Sequence, residues 1–173
     1  LAKFTSPTAA NNSAFARNWV LANASYTEAN PRNITFRIFN TTGTRNTTTY
    51  TTTNNATRIR INFTGLANGV YRYNFTIRDI VTNTNTTTNR YITLDTANPT
   101  ITLNNPPDNR ESTTASVTFS ATCTDTNLRY CDLWGNWSSE GWHRNKTNSS
   151  AKSGSQTNFT VVINTNGKYV WSY

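Results

Sequence analysis

Three stretches alternate strictly between apolar and polar residues: Arg32-Asn33-Ile34-Thr35-Phe36-Arg37-Ile38, Arg58-Ile59-Arg60-Ile61-Asn62-Phe63-Thr64 and Tyr71-Arg72-Tyr73-Asn74-Phe75-Thr76-Ile77. A period of two belongs to a strand with one face buried and the other wet. No segment of helical period and adequate length competes with it. The chain is therefore expected to be all-β.

The polar positions carry a second pattern. Asn-x-Ser/Thr sequons occur at Asn11, Asn23, Asn33, Asn40, Asn46, Asn55, Asn62, Asn74, Asn85, Asn136, Asn145, Asn148 and Asn158. Within an alternating strand the acceptor Asn and its Thr share one face while the middle residue takes the other. A sequon with an apolar middle residue thus suits a strand that buries that residue and presents the acceptor to solvent. Such acceptors matter on an exported surface, so N-glycosylation at these asparagines and an extracellular location are expected.

Period-two segments between turn signals place strands near Ala2 to Ser6, Asn18 to Tyr26, Arg32 to Phe39, Thr47 to Thr53, Arg58 to Thr64, Gly69 to Asp79 and Thr88 to Leu94. Asn30-Pro31, Thr42-Gly43, Asn54-Asn55 and Asn68-Gly69 punctuate them. Seven short strands at this spacing have the rhythm of an immunoglobulin-like sandwich. The second half repeats the plan with Thr100 to Leu103, Ser116 to Thr124, Arg129 to Trp134, a polar stretch from His143 to Ser155, Thr157 to Ile163 and Lys168 to Tyr173. The turn and aromatic strand Asn68-Gly69-Val70-Tyr71 reappear as Asn166-Gly167-Lys168-Tyr169. Two tandem sandwiches, 1–97 and 98–173, are expected, the second lacking its last strand in this chain.

Sixteen Lys and Arg against eight Asp and Glu give a net charge of +8. The basic residues are scattered singly on outer strand faces, Arg37, Arg58, Arg60, Arg72 and Arg78 among them, with no polybasic run. They read as a solvated face that discourages edge pairing rather than as a nucleic-acid surface. No apolar run is long enough to span a membrane, and no export signal precedes Leu1, so the chain is expected to be a processed product or a fragment.

Cys123 and Cys131 are the two cysteines, and on neighbouring strands of an exported chain they are expected to form a disulfide. Two cysteines and the single His143 do not make a four-ligand zinc site. The carboxylates Glu28, Asp79, Asp95, Asp108, Glu111, Asp125, Asp132 and Glu140 are scattered, and His143 stands beside no nucleophile elbow. No catalysis and no cofactor are expected. A calcium site at Asp79, Asp95 and Asp125 has no dense Asp/Asn/Gly loop to support it; Asp79 and Asp125 are expected to accept turn hydrogen bonds instead. Trp134, Trp137 and Trp142 cluster in one segment. Either Trp134 or Trp137 closes the core, or exposed Trp137 and Trp142 stack on sugars.

Leu94-Asp95-Thr96-Ala97-Asn98-Pro99-Thr100-Ile101-Thr102-Leu103 resembles the junction between tandem prokaryotic immunoglobulin-like repeats, with its Asp-Thr-x-x-Pro step. Ser120 to Leu128 is similar to the second strand and following turn of such repeats, and Gly69 to Asp79 to their penultimate strand. Ile80-Val81-Thr82-Asn83 departs from the Gly-Asn turn often found there, and the second repeat has no final strand in this chain. The resemblance implies a surface, adhesin, surface-layer or filament protein, and with the dense sequons an archaeal cell surface. The structural reading has an adhesive, sugar-binding module as its rival, and an ancillary domain of a secreted hydrolase as a third reading. Copies of the chain are the expected partners, joined head to tail by a donated strand, with the last strand lying outside this sequence as the alternative. Leu1 to Trp19 is the candidate donor, with Phe4, Phe15 and Trp19 as anchors, although Ala2 to Ser6 equally suits the first sandwich's own opening strand. Tyr169 and Trp171 are expected on the inner face that the donor covers.

Overall fold

A computed structural model describes residues 2–52 and 59–173. The expected acceptor Asn55 and the strand residue Arg58 lie outside the described residues. The chain divides into two compact units, Leu1–Ala97 and Asn98–Tyr173. Every regular element among the described residues is a strand.

The first unit holds β1 (Ala2–Thr5), β2 (Ser13–Phe15), β3 (Val20–Tyr26), β4 (Pro31–Asn40), β5 (Gly43–Thr51), β6 (Ile59–Phe63), β7 (Gly69–Asp79), β8 (Thr84–Thr86) and β9 (Arg90–Leu94). One sheet runs β1-β3-β6 and the other β2-β9-β7-β4-β5, with β8 alongside β7. All pairs are antiparallel except β2 with β9, where Ser13, Ala14 and Phe15 lie parallel to Ile92, Thr93 and Leu94. The alternation read from sequence drives this closure. Ile34, Phe36 and Ile38 of β4 and Tyr71, Tyr73, Phe75 and Ile77 of β7 bury one face, and Val20, Ala22 and Ala24 of β3 meet them from the other sheet. Phe4 of β1 reaches across the interior edge-on to Tyr73 and Phe75, at 5.4 and 5.1 Å between centroids. The turn from β4 to β5 uses Asn40, whose Oδ1 accepts from Thr42 N and Gly43 N, both at 3.1 Å, while Gly43 takes φ +140°.

The second unit holds β10 (Thr100–Asn105), β11 (Ser116–Thr124), β12 (Cys131–Gly135), β13 (His143–Asn148), β14 (Gln156–Val162) and β15 (Trp171–Ser172). Its sheets are β10-β11-β14 and β13-β12-β15. Cys123 of β11 and Cys131 of β12 join the sheets through a disulfide, with Cα atoms 6.3 Å apart. Phe119 of β11 anchors the aromatic interior. It stacks on Trp137 at 4.7 Å and meets Trp171 edge-on at 5.3 Å.

One hydrogen bond is built identically in both units. The Tyr71 hydroxyl donates to Ala67 O at 3.0 Å, and the Tyr169 hydroxyl to Thr165 O at 2.8 Å, each reaching back four residues across an Asn-Gly turn. This is the tyrosine corner at the start of the penultimate strand of immunoglobulin domains. It sets Tyr169 on Tyr71, Trp171 on Tyr73 and Tyr173 on Phe75. Tyr169 is half-buried, with its hydroxyl end over Gly167 of its own turn.

Two short strands were not foreseen. β2 and β8 carry no hydrophobic alternation, and neighbours create them: Asn12 N donates to Tyr91 O at 2.8 Å beside β2, and Thr76 and Arg78 pair with Thr86 and Thr84. The segment expected to be donated is occupied at home. Phe4 is spent on Tyr73 and Phe75, and Arg17 is held 4.0 Å over both Phe15 and Trp19.

Candidate functional site

The acceptor asparagines sort by where their side-chain amides point. Asn46, Asn62 and Asn85 are exposed, with no side-chain hydrogen bond among the described residues. Asn11 and Asn158 are also exposed, although Asn11 Oδ1 accepts from Tyr91 N at 2.7 Å and Asn158 Oδ1 from Gln156 Nε2 at 2.8 Å. The remaining described acceptors, Asn23 apart, are half-buried. Asn74 Nδ2 is committed to Asn89 Oδ1, Asn145 Nδ2 to Gly135 O and His143 O, and Asn148 Nδ2 to Thr157 Oγ1. Asn136 Oδ1 accepts from Val170 N, tying the β12 turn to the segment before β15.

Asn23 overturns its expectation. It is 3 % exposed, and its Nδ2, the atom a sugar would join, donates to Ser6 O at 2.9 Å. The Thr8 hydroxyl donates to Asn23 O and accepts from Asn23 N. A loop following β1 thus covers the outer face of β3, and a glycan there would have to displace it.

The three clustered tryptophans separate. Trp137 lies half-buried against Phe119, and a Cβ on Gly135 would stand 1.9 Å from its ring, so glycine at 135 makes the room for that stack. The expected sugar-stacking role of Trp137 is corrected accordingly. Trp142 is 50 % exposed and Trp134 37 %, the latter turned outward because Cys131, Leu133 and Gly135 take the inward positions of β12.

Ser138, Glu140 and His143 lie close together without forming a catalytic triad. Ser138 Oγ is 3.3 Å from His143 Nδ1 and 3.4 Å from Nε2, while Glu140 Oε2 is 3.8 Å from that same Nε2. Nδ1 faces Gly141 O at 2.9 Å. A triad needs acid and nucleophile on opposite ring nitrogens, with the pair withdrawn from water. Here the acid shares the nitrogen that would take the nucleophile's proton, and Ser138 and Glu140 are exposed.

The aspartates serve turns. Asp79 Oδ1 accepts from Val81 N and Asn83 N, and Oδ2 from Asn83 Nδ2; Asp125 Oδ1 accepts from Asn127 N. Asp95 Oδ1 accepts from Asn68 Nδ2 and Ala97 N. No three His, Cys, Asp or Glu side chains gather as metal ligands among the described residues.

Strand order, the parallel β2–β9 pair and the tyrosine corner define the class: immunoglobulin-like β-sandwich modules in tandem. No family model matches the chain, and no curated protein matches it. Among solved structures, it is similar to the fibronectin(III)-like modules of Clostridium thermocellum CbhA, with TM-score 0.41 and 15 % identity over 94 % of this chain and 80 % of that one. It is also similar to a tetra-tandem repeat from the extending region of a large adhesion protein, with TM-score 0.37 and 20 % identity over 99 % of this chain and 46 % of that one. A third likeness is to the BSP domain of a biofilm-associated protein, with TM-score 0.31 and 15 % identity over 95 % and 25 %. The chain spans less than half the length of the latter two.

Proposed function

We propose that the chain is a non-catalytic, N-glycosylated structural module of an extracellular assembly, a filament or surface layer of an archaeal cell. The observation that carries this is the exposure of Asn46, Asn62 and Asn85 on sandwich modules whose Asp79, Asp125 and His143 side chains are used in turns. The Cys123–Cys131 bridge supports an oxidising compartment. Intact mass of native protein tests the reading, with glycopeptide mapping to locate the sugars. Sugars at Asn46, Asn62 or Asn85, with Asn23 bare, are the expected result; a native mass equal to the bare 19.4 kDa chain sinks it.

Self-association belongs to the same proposal. Ile101 and Leu103 pair with Cys123 and Ala121, whose side chains are buried inward, yet they are 47 and 48 % exposed. In the first unit the matching residue Phe4 is covered by β7. A strand added from another copy beside β15 would cover Ile101 and Leu103, and head-to-tail addition gives fibres. Because β1 and β2 are engaged in their own unit, donation by Leu1 to Trp19 is an exchange of strands between copies. Removing residues 1–12 is expected to abolish polymers. Stable, monodisperse monomers of the unaltered chain would refute polymerisation and leave the glycosylated-module reading standing.

A second reading, an adhesive sugar-binding module, is favoured by the exposure of Trp142 and Trp134. Acrylamide quenching with and without sugars tests it: protection of these indoles supports it, and unchanged quenching removes it.

A further inference from the structure

The net positive charge is not shared between the units. Residues 1–97 hold ten Lys and Arg against three Asp and Glu, a net +7, whereas residues 98–173 hold six against five, a net +1. Part of that excess is organised on the outer face of the larger sheet. Thr49, Thr35, Thr76 and Thr86 stand side by side on β5, β4, β7 and β8. The hydroxyls of Thr35 and Thr49 are 2.9 Å apart, and those of Thr76 and Thr86 2.8 Å. Arg37 flanks this rung on one side, donating from Nη1 to Thr76 Oγ1 at 3.2 Å. Arg78 flanks it on the other, opposite Asn33 and Thr84.

All of these side chains but Thr86, together with Thr82, line one shallow depression of about 300 Å³, with no carboxylate in its lining. Asp79, the acid adjacent to Arg78 in sequence, is turned into its own loop by Val81 and Asn83. Neither Arg37 nor Arg78 makes an ion pair among the described residues, where both ion pairs belong to the second unit. Two guanidinium groups are thus held at a polar surface without counter-charge, an arrangement that suits carboxylate or sulfate.

We propose that this face binds an acidic polysaccharide. The backbones of Arg37 and Arg78 stand on rungs four residues apart, about 14 Å along the strands at the usual rise, and Arg37 Nη1 reaches in to Thr76 on the rung between them. Both side chains therefore border the same depression and can take neighbouring anionic groups of one polymer. Threonine hydroxyls and the Asn33 amide between them match sugar hydroxyls. The lining holds no aromatic ring on which a base could stack, which argues against single-stranded nucleic acid. The proposal does not depend on attached glycans or on polymerisation, and an Asn33 glycan would stand over the same depression.

The test uses the full 173-residue chain made without glycans, titrated with polygalacturonate, dextran and duplex DNA. The expected result is salt-sensitive binding of polygalacturonate, none of dextran and markedly weaker binding of DNA. An Arg37→Gln/Arg78→Gln double variant should lose roughly tenfold or more in affinity, in line with the loss of two charge-assisted contacts. An Arg32→Gln/Arg60→Gln control, with the same change in charge, should lose little. Backbone amide shifts on binding should fall on β4, β5, β7 and β8, and circular dichroism checks that both variants fold. Absence of polygalacturonate binding, equal loss in both variants, equal affinity for DNA, or shifts confined elsewhere would each overturn the proposal.

Discussion

At the scale of single residues, tyrosine hydroxyls hold the sandwich ends. Tyr71 and Tyr169 donate to carbonyls four residues back, and the bond fixes how the chain turns into the penultimate strand of each unit. Removing one hydroxyl should cost about 0.5–1.5 kcal/mol, so Tyr71→Phe and Tyr169→Phe are expected to lower denaturant midpoints without changing far-ultraviolet circular dichroism. Tyr173 does a different job. Its hydroxyl donates to Phe119 O and, more weakly, to Thr157 O, and burial pushes its pKa up to about 12. Since the folded value lies above the unfolded one near 10, its contribution is intact below pH 10 and is lost as pH rises from about 10 to about 12. Alkaline titration of the wild type should show a loss of stability in that window, and Tyr173→Phe should lose less across the same interval. Asn23 shows where residue-level reading fails. Alternation correctly assigns it to the face opposite Ala22 and Ala24, but only the folded chain brings Ser6 and Thr8 over it.

At the scale of elements, long alternating segments are legible and short ones are not. Gly69–Asp79 and Ser116–Thr124 can be bounded from sequence because each buries a full row of side chains against the facing sheet. β2 and β8 owe their conformation to partners distant or polar, and three residues such as Thr84-Asn85-Thr86 carry no apolar signal. Among the tryptophans, sequence shows the cluster without the register; inward Cys131, Leu133 and Gly135 send Trp134 out and leave Trp137 to fill the core. The disulfide closing β11 to β12 spans eight residues. Chain-entropy estimates give it about 2.5 kcal/mol. Reduction, or Cys123→Ser/Cys131→Ser, should lower the midpoint of the second unit by roughly that stability and leave the first unchanged, as residue-resolved hydrogen exchange would report.

At the scale of the whole molecule, the units differ in how they close. The first surrounds Phe36, Tyr73 and Phe75 completely, while the second leaves Ile101 and Leu103 half-exposed on its inward face. Residues 1–97 alone are therefore expected to unfold cooperatively, and residues 98–173 alone to bind a dye specific for exposed apolar surface. Dye binding equal in the two pieces would contradict this reading.

The cross-link has a mechanical meaning too. A chain pulled from its ends lengthens as each module unravels, by up to about 3.5 Å per released residue. The seven residues between Cys123 and Cys131 cannot contribute while the bridge stands, because its Cα atoms stay near 6.3 Å apart. Oxidised and reduced forms would thus differ by roughly 20 Å in extensible length. In a fibre of many such subunits, the redox state of the surroundings would set how far the material gives before its backbone is taut.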